Sequence, residues 1–300
     1  MSNATAMPAS NPVVERRRGE AWTASALIGP ATIFIAVCLL APLAFLFRYS
    51  LNDFIAAKKM MVEAVTIANY VKFFTDPYYT TILWTTVRIA VLVTAVCLVL
   101  AFPLAYVVAR TQSRFKNLLI ISIVLPLFVG NAVRAAGWMV VFGSKGFVNA
   151  SLLGIGVIST PLEIMFTPKA VVIGIIAVNL PFMVLSLQSV IEGIDRSVEE
   201  AAFSLGAPPL TMFRRVLWPL ALPGILAGTI LCFILAMNAY ATPFLLGGPL
   251  FKMMSPLIYN EFTQKTNWPF GGAIAFILMT VTLLLTVAAN LILQRRANAR

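Results

Sequence analysis

The chain of 300 residues contains no histidine, and only 11% of its residues are charged. Without histidine, Ser-His-Asp and Cys-His nucleophilic sites are excluded, as is every zinc motif that uses a histidine ligand. The chain also lacks the Gly-x-x-x-x-Gly-Lys-Ser/Thr loop that holds phosphate groups. We therefore expect no catalytic residue, metal or cofactor in this chain. Any nucleotide that drives the protein is expected to bind a partner subunit.

Long apolar runs dominate the sequence, which is 60% hydrophobic and has a mean hydropathy of +0.92. In a soluble domain about a quarter of the residues are charged, so this composition indicates an integral membrane protein. Six runs reach the ~20 apolar residues that a helical span requires, namely 24–47, 84–109, 118–142, 170–190, 220–246 and 271–293. None contains Asp or Glu, which excludes an intramembrane aspartyl site or a carboxylate proton relay. We expect an all-α membrane protein with six transmembrane helices.

Basic residues are distributed unequally between the two sides of the predicted membrane. Twelve of the 22 lysines and arginines fall on the side of both termini and eight on the other, while Arg88 and Arg134 lie inside runs. Because positive residues concentrate on the cytoplasmic side, both termini are expected inside, in the cell inner membrane. Residues 1–21 are predicted to be a disordered cytoplasmic tail and 22–300 the transmembrane domain. The net charge is +11, and we expect the basic residues to interact with anionic lipid headgroups and not with nucleic acid.

A polar segment, residues 192–218, lies between the fourth and fifth runs on the predicted cytoplasmic side, and we call it the island. Ser197 and Glu200 have the Ser-x-x-Glu spacing of a capping box, which predicts that a short helix starts at Ser197. This helix would carry a small apolar stripe that ends at Leu205, and Gly206 would stop it in a left-handed conformation. Two alternatives follow from these residues, an amphipathic hairpin on the inner leaflet and a docking site for another protein.

Within the island, Glu200-Ala201-Ala202 is followed after three residues by Gly206, and after nine more by Val216-Leu217-Trp218-Pro219. This pattern resembles the Glu-Ala-Ala loop of ABC importer permeases, with valine for the usual isoleucine and tryptophan for the usual leucine. The resemblance implies a type I ABC importer permease fold, in which the coupling loop 192–218 inserts into a groove of an ATP-binding subunit. It assigns docking to Glu200, Ala201, Ala202, Leu205 and Gly206.

Similarity to spermidine/putrescine-type permeases is found in five further segments, 133–138, 145–149, 160–168, 241–249 and 267–271. This resemblance implies an importer with a second homologous permease subunit, ABC ATPase subunits and an extracytoplasmic solute-binding protein. The implied solute is a polyamine, putrescine or spermidine, or a related organic cation. The alternatives are another small solute, such as an amino acid derivative or an opine, a secondary transporter or channel, or a membrane-embedded enzyme. The missing intramembrane carboxylates and histidines count against the last two.

Polar and aromatic residues in or beside the runs are candidates for a solute path. Asn179 lies about ten residues into the fourth run, which at ~1.5 Å per residue is near the bilayer midplane. Because Pro181 follows, this side chain is predicted either to line a cavity or to bond a neighbouring helix. Asn238 and Tyr240 are typical of a gate or re-entrant turn, and interfacial anchoring is the alternative for Tyr240. The full set of candidates is Asn179, Asn238, Tyr240, Trp138, Glu163 and Glu261.

Two arginines lie inside the apolar runs, where a charged residue is a candidate functional residue. Counted along straight helices, Arg88 and Arg134 both lie near the outer ends of their runs. We therefore expect their guanidinium groups to reach the outer surface or to pair with Glu163 or Asp76.

Overall fold

The protein is a helical bundle, seen here in a computed structural model that describes residues 12–55, 60–249 and 251–298. Its elements are α1 (Pro12–Ser50), β1 (Asp53–Ile55), β2 (Met60–Val62), α2 (Ala68–Thr75), α3 (Pro77–Arg110), α4 (Lys116–Val124), α5 (Asn131–Phe142), α6 (Phe147–Gly154), α7 (Pro168–Glu192), α8 (Arg196–Ser204), α9 (Pro209–Met212), α10 (Trp218–Leu220), α11 (Leu222–Met237), α12 (Ala241–Leu246), α13 (Met254–Thr263) and α14 (Trp268–Asn298). A 3₁₀ turn (Leu125–Phe128) follows α4, and a π turn (Phe213–Leu217) joins α9 to α10.

The described residues contain four unbroken helices that are long and apolar enough to cross a membrane, and two bent helix pairs raise the number to six. The unbroken ones are Ile28–Ser50, Pro77–Arg110, Pro168–Glu192 and Trp268–Leu291. This agrees with the expected all-α membrane fold of six spans. The short antiparallel hairpin of β1 and β2, in which Phe54 pairs with Met61, was not anticipated from the sequence.

The first helix lies at the edge of the bundle and contacts α14, where the rings of Phe47 and Phe276 meet edge to face at 5.3 Å. Within the segment Ile28–Ser50, none of the residues in an apolar stretch of 18 is buried by the rest of the chain, as expected for a helix surrounded by lipid. The helix begins at Pro12, within the stretch predicted to be a disordered tail, and residues 1–11 lie outside the described part of the chain.

The centre of the bundle is formed by α3, α7 and α11. Small residues allow these helices to approach closely, since lipid tails give helix association no hydrophobic advantage and packing must supply it. A Cβ placed on Gly228 of α11 would come within 2.7 Å of the sulfur of Met183 on α7. At Gly224, one turn earlier, it would meet the Val190 side chain at 2.9 Å. The two glycines therefore set the distance between α7 and α11.

The third apolar run is not a continuous span. After the 3₁₀ turn, the chain bends by 100° between the segments Lys116–Phe128 and Asn131–Gly154. Pro126 lacks an amide hydrogen, and Gly130 precedes α5 in an extended conformation, so the helical hydrogen bonds stop there. Counting depth along a straight helix was consequently wrong for Arg134.

A second bend separates Pro209–Leu220 from Leu222–Met237 and measures 71°. Within the fifth run, α11 ends at Met237, and after Asn238 to Tyr240 the chain continues as the short helix α12. The interruption falls where the sequence predicts a gate or re-entrant turn. After this interruption, α12 packs against α5 and α7.

Candidate docking site and solute path

The island folds as two short helices joined by a tight turn. The first, α8, is capped by Asp195, whose carboxylate accepts a hydrogen bond from the amide of Ser197 at 2.9 Å. The predicted capping box is therefore wrong, since Ser197 lies inside the helix and Glu200 does not reach a cap amide. Asp195 is already extended and closer to the first free amides, so it takes the capping role. The bond with the Ser197 amide lowers the pKa of Asp195.

The end of α8 follows the prediction. Gly206 has a φ of +79°, the left-handed conformation that glycine adopts without strain. The amide of Gly206 donates to the carbonyl of Phe203 at 2.9 Å, and the amide of Ala207 donates to that of Ala202 at 3.1 Å. These two bonds form a Schellman motif, which satisfies the last carbonyls of the helix. The second helix then begins at Pro209.

The two faces of α8 have different surroundings. Glu199 and Ala202, one turn apart, are buried against the rest of the chain. The other four docking candidates predicted from the sequence are exposed: Glu200, Ala201, Leu205 and Gly206. Leu205 is 88% exposed, and the nearby Leu210 is 67% exposed. The apolar stripe predicted on this helix is thus largely without cover from this chain.

The buried face of α8 is held by a polar network that sequence reasoning missed. The Arg110 guanidinium donates to Oε1 of Glu199 from Nε at 2.8 Å and also from Nη2, while the Tyr106 hydroxyl lies 2.9 Å from Oε2. Arg110 further donates from Nη1 to the carbonyl of Ile194 at 3.0 Å, and Arg196 donates to the carbonyl of Arg110 at 2.6 Å. The one available signal was the helical spacing of Glu199 and Ala202, which places them on the same face.

Asn179 lies inside the subunit and does not line a surface. Its side chain is 1% exposed and donates from Nδ2 to the carbonyl of Cys232 at 3.1 Å. The Cys232 thiol in turn lies 3.5 Å from the carbonyl of Asn179. This reciprocal contact joins α7 to α11. Of the two predicted roles of Asn179, it matches the bond to a neighbouring helix and not the lining of a cavity.

Two path candidates flank the break after α11. Asn238 is exposed, donates back to the carbonyl of Ile234 at 2.9 Å, and lines a groove of about 420 Å³ along α14. The ring of Tyr240 stacks on Phe244 at 5.3 Å and meets Tyr259 at 4.9 Å. Phe244 and Tyr259 line a separate cavity of about 360 Å³. Asn238 thus lines one groove, whereas Tyr240 contacts two residues that line a different cavity.

Trp138 and Glu163 stand apart from that aromatic cluster. Trp138 stacks on Phe142 at 4.8 Å within α5, and Glu163 is exposed in the loop before α7. Within the described residues, Arg134 is bonded to Asn131 and to no carboxylate, so of its two predicted alternatives the pairing with Glu163 or Asp76 is wrong. The carboxylate of Asp76 instead caps α3.

Glu261 lines a polar cavity at the end of α3 that is opposite the island. It is 1% exposed and accepts a hydrogen bond from Nζ of Lys265 at 2.6 Å. The cavity, of about 550 Å³, is also lined by Asp53, Lys72, Tyr79, Gln264, Lys265 and Asn267. Asn238 and Glu261 line different cavities, and Asn179 lines neither, so the structure does not bring these three path candidates together at one site.

Comparison with known proteins gives consistent results. A family model described as the binding-protein-dependent transport system inner membrane component matches residues 61–298. The chain is 35% identical to the spermidine/putrescine transport system permease protein PotB of Haemophilus influenzae, over 77% of this chain and 82% of that protein. It is 36% identical to the PotB of Escherichia coli K12, over 78% and 82%.

Solved structures extend the comparison to the fold. One chain of a bacterial alginate ABC transporter, in complex with an alginate pentasaccharide-bound periplasmic protein, superposes with a TM-score of 0.76. It covers 94% of this chain and 97% of its own length at 18% identity, so it supports the fold alone. The chain belongs to the family of inner-membrane permease components of binding-protein-dependent ABC importers.

Proposed function

We propose that this permease imports a polyamine, or a related small organic cation, as one membrane subunit of an ATP-driven complex. The complex would include a second homologous permease subunit, ATPase subunits that bind the ATP, and an extracytoplasmic solute-binding protein. Both termini and the island would face the cytoplasm, and the chain itself would catalyse no reaction.

The uncovered face of α8 is the observation that carries this proposal. A helix of nine residues that ends in a Schellman turn offers Ala201, Leu205 and the carboxylate of Glu200 on one exposed surface. Contiguous exposed apolar surface rimmed by polar residues is typical of protein docking sites. Family membership supplies the partner expected there, the ATP-binding subunit of the importer. Ala202 is expected to contribute from beneath, by fixing the position of the helix.

The solute is inferred from the relatives, two of which are named for spermidine and putrescine. The aromatic faces of Tyr240, Phe244 and Tyr259 are chemically suited to an ammonium group. Lys252, however, lines the same cavity as Phe244, and Glu261 is already paired with Lys265. We therefore expect weak contacts from this chain and selection of the solute by the binding protein.

Reconstitution of the complete complex tests the proposal. The four subunit types would be placed in liposomes and supplied in turn with radiolabelled putrescine, spermidine, an amino acid and a sugar. Uptake of a polyamine that requires ATP and the binding protein is the expected result. If another solute is taken up and neither polyamine is, the importer stands and the polyamine assignment falls. Uptake by this chain alone, driven by an ion gradient, would favour a secondary transporter.

Orientation is tested separately by thiol labelling in intact cells. In a chain whose three native cysteines are replaced by alanine, a cysteine at the exposed Ser204 of α8 should resist an impermeant reagent. A cysteine at the exposed Thr263, beside the polar cavity, should react. Labelling of the Ser204 position from outside would place the island on the wrong side for an ATPase.

A further inference from the structure

The polar network under α8 connects parts of the chain that are far apart in sequence. Glu199 belongs to the island, whereas Tyr106 and Arg110 form the last turn of the membrane helix α3, 89 to 93 residues earlier. Both carboxylate oxygens of Glu199 are engaged, and the carbonyl of Arg110 accepts a bond from Arg196 at 2.6 Å. The end of α3 and the start of α8 are thus bonded in both directions.

Burial makes this connection stiff. The side chains of Arg110 and Glu199 are 13% and 9% exposed, so their bonds are shielded from competing water. Two guanidinium N–H groups of Arg110 donate to the same oxygen, Oε1, and the Tyr106 hydroxyl holds Oε2. Charge-assisted hydrogen bonds of this kind fix both distance and angle, whereas apolar surfaces can slide past each other. A second ion pair nearby, between Lys116 and Glu192, has side chains that are 31% and 38% exposed. Such an exposed pair is expected to contribute little.

The helix held by this network reaches the opposite end of the molecule. With 34 residues, α3 is roughly 50 Å long. Along it, the hydroxyl of Thr86 accepts a bond from the amide of Met254 at 3.0 Å, in a buried position. Near its first turn, Tyr79 packs on Phe270 of α14 at 4.9 Å and lines the cavity that contains Glu261. Helix α3 is therefore bonded to the island at one end and packs on α13 and α14 towards the other.

We infer that Glu199, Arg110 and Tyr106 are positioning residues that form the joint through which movement of α8 is passed to α3. This inference rests on the proposed function, because it assumes that an ATPase subunit docks on the exposed face of α8. The exposed face binds the partner, and the buried face holds α3. Loss of the joint should leave the ATPase bound and active while solute uptake no longer follows hydrolysis.

The deciding measurement is solute uptake per ATP hydrolysed, made on the complete reconstituted complex together with the amount of ATPase retained. Glu199→Ala should retain the ATPase within about twofold of wild type and lower uptake per ATP about tenfold, because an unpaired buried arginine forces the joint apart. Arg110→Ala should do the same, and the double variant should be no worse than either, as expected for residues that act as one pair. Glu192→Ala, which breaks the exposed pair with Lys116, is the matched control and should stay within about twofold of wild type.

Two outcomes overturn the inference. Unchanged uptake per ATP in Glu199→Ala would mean that α3 is not driven through this network. Loss of ATPase retention in parallel with uptake would mean that the network merely places α8. If Glu199→Ala fails to assemble, the isosteric Glu199→Gln decides, with a fall of about threefold expected from the lost charge and no fall overturning the inference. A wild-type complex that retains no ATPase would instead overturn the proposed function, and this inference with it.

Discussion

Two buried glutamates at opposite ends of the bundle differ in what they hold together. Glu199 pairs with Arg110, 89 residues away in the chain, and so joins the island to a membrane helix. Glu261 pairs with Lys265, four residues away, and so holds only the end of α13 and the loop after it. Both residues are buried glutamates, with side chains that are 9% and 1% exposed. The separation of the partners along the chain decides whether an ion pair can connect moving parts or only shape a local surface.

The largest effect should come from removing each glutamate in turn. Glu199→Ala leaves Arg110 buried and unpaired, which should lower the free energy of unfolding by about 3–5 kcal/mol. Glu261→Ala should cost about 1 kcal/mol or less, because the Lys265 side chain is 52% exposed and can turn to water. The melting temperatures of the two purified variants measure the difference. Equal losses would show that both pairs are local supports.

The next largest loss of stability is expected from one of the two tyrosines near the ends of α3. The Tyr106 hydroxyl bonds to the carboxylate of Glu199, so Tyr106→Phe should lower stability by about 2 kcal/mol. The Tyr79 ring stacks on Phe73 at 5.9 Å and meets Phe270 edge to face at 4.9 Å, so removing its hydroxyl in Tyr79→Phe should change little. Thermal unfolding of both variants against wild type provides the measurement. A larger loss from Tyr79→Phe would reverse the comparison.

A smaller effect is expected at the turn after α8. Gly206→Val forces a β-branched residue into a left-handed conformation, at a cost of roughly 1–2 kcal/mol. No atom lies within 4 Å of a Cβ at this position, so the cost is in the backbone and not in a clash. Gly206→Asn is the control, because asparagine tolerates this conformation. Retained ATPase and uptake should fall for valine and be nearly preserved for asparagine, whereas equal losses would point to a direct contact by the glycine.

The smallest effect is a pH dependence of opposite sign at the two ends. The pKa of Asp195 is lowered by the Ser197 amide, so its capping bond stabilises the fold above the unfolded pKa and is lost as the pH falls through the folded value. Burial is the largest single influence on Lys265 and opposes its charge, but the hydrogen bond to Glu261 and the Coulomb interactions with Glu261, Tyr79 and Tyr78 together outweigh it and raise the pKa. That contribution is present below the unfolded pKa and is lost as the pH rises through the folded value.

Asp195→Asn and Lys265→Met separate the two contributions. The first should remove part of the acid loss of melting temperature, and the second part of the alkaline loss. Melting curves recorded across both pH ranges check this. An effect of Asp195→Asn on the alkaline loss, or of Lys265→Met on the acid loss, would contradict the assignment.

The sequence was sufficient for the membrane class, the number of apolar segments and the turn at Gly206, because run length and glycine conformation depend on local chemistry. It misplaced the cap of α8, since Ser-x-x-Glu fits a capping box even when an aspartate two residues earlier is better placed. It overlooked Glu199 because adjacent glutamates look alike until a helix turns one towards the bundle and the other towards solvent. The pairing of Glu199 with Arg110 depends on tertiary contact, which no local pattern contains.

The bend between the 3₁₀ turn and α5 has a further consequence for what surrounds the protein. Around Val129 and Gly130 the backbone leaves helical hydrogen bonding, yet Phe128 is 83% exposed and Val129 40% exposed in the isolated chain. Hydrocarbon offers no partner to peptide groups, so irregular backbone at membrane depth persists only against protein or water. We therefore expect protein or water to shield this stretch from the acyl chains in the assembled membrane protein. The isolated chain does not provide that shield itself.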